Sequence, residues 1–195
     1  MKRSVAVVLA LATAAGVAAA AERSGPGLRA GAGIQGAFSM FEAGFDLPRI
    51  NRGFGIGLRA RYLSALTYAT YIDSAGEYVS FHPCVVGGAV SLGGGSPVID
   101  ERFRAYGNFE VLLGHSFTPW DDAVMGVGNL FGPNLTWIAS GQFGLEVFTS
   151  SRSAVYLEAG GGFKSIRGDK ENRYLKTTAW LGSGVTLRMG VNLYL

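Results

Sequence analysis

Apolar and polar residues alternate along most of the chain with a period of two. Between residues 53 and 69 most of the large apolar side chains, among them Phe54 and Leu58, occupy even positions, while Arg59 and several glycines occupy odd positions. Residues 176–195 repeat the pattern. Such alternation predicts β-strands that have one apolar face. No segment after residue 22 shows the 3.6-residue period of an amphipathic helix, so the predicted fold class is all-β.

The alternation predicts eight strands, and the connections between them indicate how they are arranged. Turns on the side of the N-terminus are short, whereas the other side includes the connections 117–133 and 167–175. An even number of strands with short turns on one side and longer loops on the other predicts an eight-stranded antiparallel up-and-down transmembrane β-barrel. In the fourth strand Pro83 and Gly87-Gly88 interrupt the alternation, which predicts a bulge or an irregular strand. The predicted strands are 28–36, 40–47, 53–69, 77–92, 101–116, 134–149, 153–166 and 176–195.

The charged residues of these strands lie on the faces opposite the bulky apolar side chains, such as Phe41, Phe143 and Phe163. A narrow barrel can hold charges in its interior if acids and bases pair there, and glycines between them leave room. The alternative is a secreted soluble barrel that binds a ligand, with its apolar face inward and its polar face in water. The predicted charge network of the lumen comprises Arg29, Glu42, Asp46, Arg59, Arg61, Arg104, Glu110, Glu146, Glu158, Lys164 and Arg188.

The N-terminal segment has the layout of a secretory signal peptide. Lys2 and Arg3 precede an apolar run at 5–17, and four alanines provide a cleavage site before Glu22. The predicted domain organisation is a signal peptide at 1–21 and an outer-membrane barrel domain at 22–195.

Composition narrows the possible functions further. The chain has 195 residues, of which 48% are hydrophobic and 16% charged, with 17 Lys and Arg against 14 Asp and Glu. Without Lys2 and Arg3 the chain is close to neutral, so no electrostatic basis exists for a nucleic-acid partner. The single cysteine, Cys84, excludes an intramolecular disulfide framework and a zinc site of paired cysteines.

No combination of residues in the sequence indicates catalysis or metal binding. His115 and Ser116 are adjacent in a predicted strand, so their side chains point to opposite faces and do not suit a nucleophile–base pair. His82 and Cys84 share a face, but two ligands make no specific metal site. The chain is therefore expected to be non-enzymatic and to hold no metal or cofactor.

The C-terminal strand carries the most specific motif. Residues 188–195, RMGVNLYL, follow the order polar, any, Gly, any, any, hydrophobic, any, hydrophobic, and Glu146 and Glu158 occupy inward positions. In these features the chain resembles the small outer-membrane β-barrels of Gram-negative bacteria, the group of the OmpA transmembrane domain, OmpX and the opacity-type proteins. Members of that group usually end in phenylalanine. The resemblance implies an insertion signal, read by the barrel-assembly machinery, at Gly190, Leu193 and Leu195.

The resemblance also implies a monomer in the bacterial cell outer membrane, in contact with lipid and lipopolysaccharide. The expected function is an integral barrel with a polar, largely filled lumen that serves envelope integrity or surface interaction. In the predicted outer loop at 117–133, Trp120, Met125 and Phe131 are the candidate contact residues. The alternative is a lipid A-modifying, deacylase-like enzyme, because several eight-stranded outer-membrane barrels act on lipid A.

Overall fold

The computed structural model describes residues 26–48, 54–72, 75–100, 102–117, 135–167 and 183–195. Eight of the strands in these ranges close a barrel in the order β1-β10-β9-β8-β7-β6-β3-β2, and β4 and β5 form a separate two-stranded hairpin. In the described ranges no helix combines the length and the apolar character needed to cross a bilayer. The strands are β1 (Gly27–Gln35), β2 (Phe38–Asp46), β3 (Phe54–Ala65), β4 (Ala69–Ile72), β5 (Tyr78–Phe81), β6 (Cys84–Gly95), β7 (Phe103–Phe117), β8 (Leu135–Phe148), β9 (Ser153–Arg167) and β10 (Gly184–Tyr194).

Neighbouring barrel strands are antiparallel throughout, and the pairing of β1 with β10 closes the cylinder. This confirms the predicted all-β fold, an eight-stranded antiparallel up-and-down barrel. Gly27 of β1 lies opposite Tyr194 of β10, so the first strand begins and the last strand ends at the same end of the barrel, called here the terminus end. The opposite end, called the loop end, carries the connections 36–37, 66–83, 118–134 and 168–183.

The connection 36–37 is a two-residue turn between β1 and β2. Gln35 pairs with Phe38 across it, and Gly36 has a φ of 56°. A positive φ at the first residue of the turn gives the twist that the two flanking strands require, and glycine adopts a positive φ without steric cost. The tight turn holds β1 and β2 in register from the loop end to the terminus end.

The predicted strand 77–92 is two strands in the structure. It is interrupted at Pro83, which has no N–H to donate to a ladder, and β5 before it pairs with β4 rather than with the barrel. The predicted irregularity of this strand is therefore confirmed at Pro83 but not at Gly87-Gly88, because both glycines pair in unbroken register with Arg61 and Ala60 of β3. The hairpin of β4 and β5 is thus a separate two-stranded sheet within the connection 66–83 at the loop end.

The interior of the barrel consists of two different layers. Charged and polar side chains occupy the middle and the terminus end. Apolar side chains fill much of the loop end, where they pack from β2, β3, β6, β7 and β8. The sequence predicted a polar lumen, and the structure corrects this, because part of the lumen is apolar. This inner apolar cluster, called here the apolar plug, consists of Phe38, Met40, Leu63, Ala65, Val85, Ala89, Leu112 and Ile138.

Candidate functional site

The most connected carboxylate of the lumen is Glu42, on β2. Arg29 Nε lies 3.1 Å from Glu42 Oε1, while Arg61 and Arg188 reach Glu42 Oε2 at 2.5 and 3.1 Å. The Tyr156 hydroxyl donates a hydrogen bond of 2.9 Å to Glu42 Oε1. This one carboxylate of β2 thus contacts side chains from β1, β3, β9 and β10, which ties five strands together through the interior.

Two further carboxylates complete this central cluster. Glu110 of β7 accepts a hydrogen bond of 2.8 Å from Arg61 and one of 3.1 Å from Arg188. Glu158 of β9 lies 2.6 Å from Arg29 Nη2 and 2.9 Å from Arg188 Nε. Each arginine is therefore shared between carboxylates, and the cluster of three arginines and three glutamates has no net charge.

Two more ion pairs lie nearer the terminus end. Arg104 Nη1 is 3.2 Å from Glu146 Oε2, and the Tyr194 hydroxyl donates to Glu146 Oε1 at 2.5 Å. Arg59 Nη2 is 2.5 Å from Asp46 Oδ1, and the side chain of Asp46 is 29% exposed. The structure thus places every charged residue of the predicted network in an ion pair, except Lys164, whose side chain lies outside the described part.

Burial makes this pairing necessary. Apart from Asp46, the paired side chains are almost completely removed from solvent. Removing one partner of a buried ion pair costs about 3–5 kcal/mol, because the remaining charge is then uncompensated. The network therefore fills the lumen with mutually dependent side chains and leaves no free charge for a passing solute among the groups described.

Glycines leave the space that the large interior side chains need. A Cβ on Gly31 would overlap the hydroxyl of Tyr156, and a Cβ on Gly190 would lie 2.6 Å from the same oxygen. In the space between them the Tyr156 ring stacks on Arg29, whose Cζ is 3.5 Å from the ring centroid. Gly144 plays the same part for the ring of Tyr106.

A small cavity remains at the terminus end of the lumen. Its volume is about 60 Å³, and its lining includes Arg59, Asn108, Glu146 and Asn192. That volume is far below the ~300–1,000 Å³ of a typical small-molecule site. Within the described ranges no group of three or more His, Cys, Asp or Glu side chains could hold a metal ion.

The two histidines lie on the outer wall of the barrel, but they have different surroundings. Ser116 is fully buried in the lumen, where it forms a hydrogen bond with Thr136, whereas the side chain of the neighbouring His115 faces outward. His82, at the loop end, has its Nε2 2.9 Å from the Oγ of Ser64. The sequence did not reveal this contact, although Ser64 was the one polar interruption of an otherwise apolar face.

Cys84 is close to His82 in the chain but is not accessible. It is fully buried, its Sγ lies 3.3 Å from the Tyr62 hydroxyl, and it is 3.8 Å from Ser64 Oγ. Neither contact includes His82. The structure therefore pairs His82 with a serine of the neighbouring strand.

The candidate assembly residues fall on both faces of β10 and just beyond it. Leu193 and Leu195 are exposed on the outer wall, while Gly190 faces the lumen opposite Gly31 and leaves room for Tyr156. The space needed by Tyr156 therefore explains why a glycine occupies position 190, independently of any insertion signal. The candidate contact residues of the long outer loop, Trp120, Met125 and Phe131, lie outside the described residues.

Comparison with known proteins assigns no family to this chain. No family model, no curated protein and no solved structure matches it. The features that bear on function are therefore the closed barrel, its ion-paired interior and the chemistry of its outer wall.

Proposed function

We propose that the chain is an integral β-barrel of a bacterial outer membrane, whose closed interior serves as a structural core rather than a channel. The observation that carries this proposal is the inversion of the barrel. Every outward position of the barrel strands whose side chain is described lacks Asp, Glu, Lys and Arg, and large apolar side chains are exposed on all eight strands. Phe143, for example, is 82% exposed.

A soluble barrel would have the opposite arrangement. Its apolar side chains would fill the interior, and charged side chains would cover the outside. Exposed apolar patches on soluble monomers rarely exceed a few hundred Å², whereas here Phe41, Leu157 and Met189 belong to a wall that continues around the barrel. Such a wall is stable in hydrocarbon. A charged side chain on the lipid-facing wall at the middle of the bilayer would cost about 2–4 kcal/mol.

The interior argues against a pore. The neutral cluster of arginines and glutamates fills the middle of the lumen, and the apolar plug fills much of the loop end. The function therefore belongs to the outer surfaces: envelope integrity, or interaction through the loops of the loop end. Because β1 pairs with β10 within one chain, a monomer is complete without a partner strand, and the proposed partners are lipid, lipopolysaccharide and the barrel-assembly machinery.

Expression in a Gram-negative host followed by carbonate extraction tests the proposal. An integral barrel stays in the membrane pellet, and it migrates faster on a denaturing gel before heating than after heating. Release into the carbonate supernatant, with a single migration position, would contradict membrane insertion and favour the secreted soluble binder.

A further inference from the structure

A polar pair, Ser64 and His82, lies on the outer wall at the loop end of β3 and β6. Ser64 Oγ and His82 Nε2 are 2.9 Å apart, within the reach that a nucleophile and its general base require. Ser64 pairs with Cys84 across β3 and β6, and only Pro83 separates Cys84 from His82 in the chain. This brings His82 close to Ser64. When the imidazole carries its proton on Nδ1, the Ser64 hydroxyl donates to Nε2.

The surroundings orient the pair and leave it reachable. The ring of Tyr68 packs edge-on against the His82 imidazole, with centroids 5.4 Å apart and planes at 65°. Ser64 and His82 are both partly exposed, whereas the nearby thiol of Cys84 is completely buried. A molecule that approaches the wall from outside therefore meets the serine and the histidine, and not the cysteine.

The location of the pair indicates what such a molecule is. Toward the middle of the barrel the next outward side chains are Tyr62 and its cross-strand neighbours Phe41 and Val86, which are exposed and largely apolar. Beyond the pair lies the hairpin of β4 and β5, with exposed polar side chains. In a bilayer this boundary corresponds to the junction of hydrocarbon and headgroups, where acyl chains are esterified.

We propose that Ser64 and His82 form a nucleophile–base pair that cleaves carboxylic acyl esters of membrane lipids. Ser64 Oγ bonds to the ester carbonyl carbon as its proton passes to His82 Nε2. The bond to the alcohol oxygen then breaks, and the alcohol leaves with that proton. Water, deprotonated by His82, releases the fatty acid from the acyl-serine and restores the hydroxyl. The choice of a lipid substrate rests on the proposed membrane location, and the activity departs from the expectation of a non-enzymatic barrel.

Hydrolysis of p-nitrophenyl octanoate by the refolded full barrel in detergent micelles tests the pair. We expect turnover by the unchanged protein, and a fluorophosphonate probe that becomes attached to Ser64, as mapped by mass spectrometry. Ser64→Ala and His82→Gln should each reduce turnover at least ~100-fold, since a general base contributes about 10²–10⁴-fold. Each variant is first shown to keep the gel shift of the folded barrel.

Two matched variants separate this pair from similar residues. Ser39 lies on β2 opposite Ser64, and its hydroxyl donates to the Ser64 carbonyl oxygen. Ser39→Ala removes this serine, and His115→Asn removes the other histidine of the wall. Both should retain full turnover. Absence of both turnover and labelling in the unchanged protein, or full turnover in Ser64→Ala, would overturn the proposal.

Micellar substrate keeps this test independent of the membrane assignment. A barrel that resists carbonate extraction but has no turnover would refute only the ester-cleaving pair. A protein with turnover that is extracted by carbonate would uphold the pair and overturn both its lipid substrate and the membrane assignment.

Discussion

At the residue scale, the charged side chains of the interior differ in how many ion-pair and hydrogen-bond partners they have. Glu42 contacts three arginines and one tyrosine, whereas Asp46 contacts Arg59 and is partly exposed to water. Both are acids of the same strand and face the same lumen. Their difference in partners and in burial therefore provides a comparison that isolates the value of the central cluster.

Glu42→Gln should destabilise the barrel by about 3–5 kcal/mol, because it leaves buried arginine charge without its counterion. Asp46→Asn should cost at most about 1 kcal/mol, as expected of a partly exposed ion pair. Urea unfolding of both variants in micelles, followed by the migration of folded and unfolded bands, measures the two losses. Equal losses would show that the central cluster is no more important than a peripheral pair.

At the element scale, alternation made the strands and their faces predictable, but it did not identify the contacts between strands. Phe38 fell in a predicted turn, so its place in the apolar plug was missed. Leu63 shares the inward face of β3 with Arg61, and only the closed barrel shows that one meets apolar side chains and the other carboxylates. The contact between Ser64 and His82 depends on the pairing of β3 with β6 across a long connection, which local sequence does not encode.

Two glycines on opposite faces of the barrel wall, Gly31 facing inward on β1 and Gly141 facing outward on β8, offer a second comparison. Gly31→Ala should destabilise the barrel by about 1–3 kcal/mol, the usual cost of overpacking, because its Cβ would overlap the Tyr156 hydroxyl. Gly141→Ala is the matched control, since a Cβ on that outward glycine would meet nothing within 4 Å. The same urea titration applies to both. A Gly141→Ala loss as large as that of Gly31→Ala would refute this account of the glycines.

At the scale of the whole molecule, the fold is an inside-out barrel. Its charges form a neutral interior cluster, an apolar plug fills much of the loop end, and its outer wall is apolar. The low charge content of the chain follows from this arrangement, because the described charges of the strands are those that can pair inside. The central proposal is that hydrocarbon surrounds this wall and stabilises the arrangement.

Nitroxide labels on the outer wall test that claim most directly. In a Cys84→Ala background, Phe143→Cys places a label on the wall, and Tyr78→Cys places one on the exposed hairpin as a control. In lipid vesicles, we predict that dissolved oxygen relaxes the label at position 143 more strongly than a water-soluble nickel complex does, with the reverse order at position 78. Equal access of the nickel complex to both labels would contradict a wall that faces lipid.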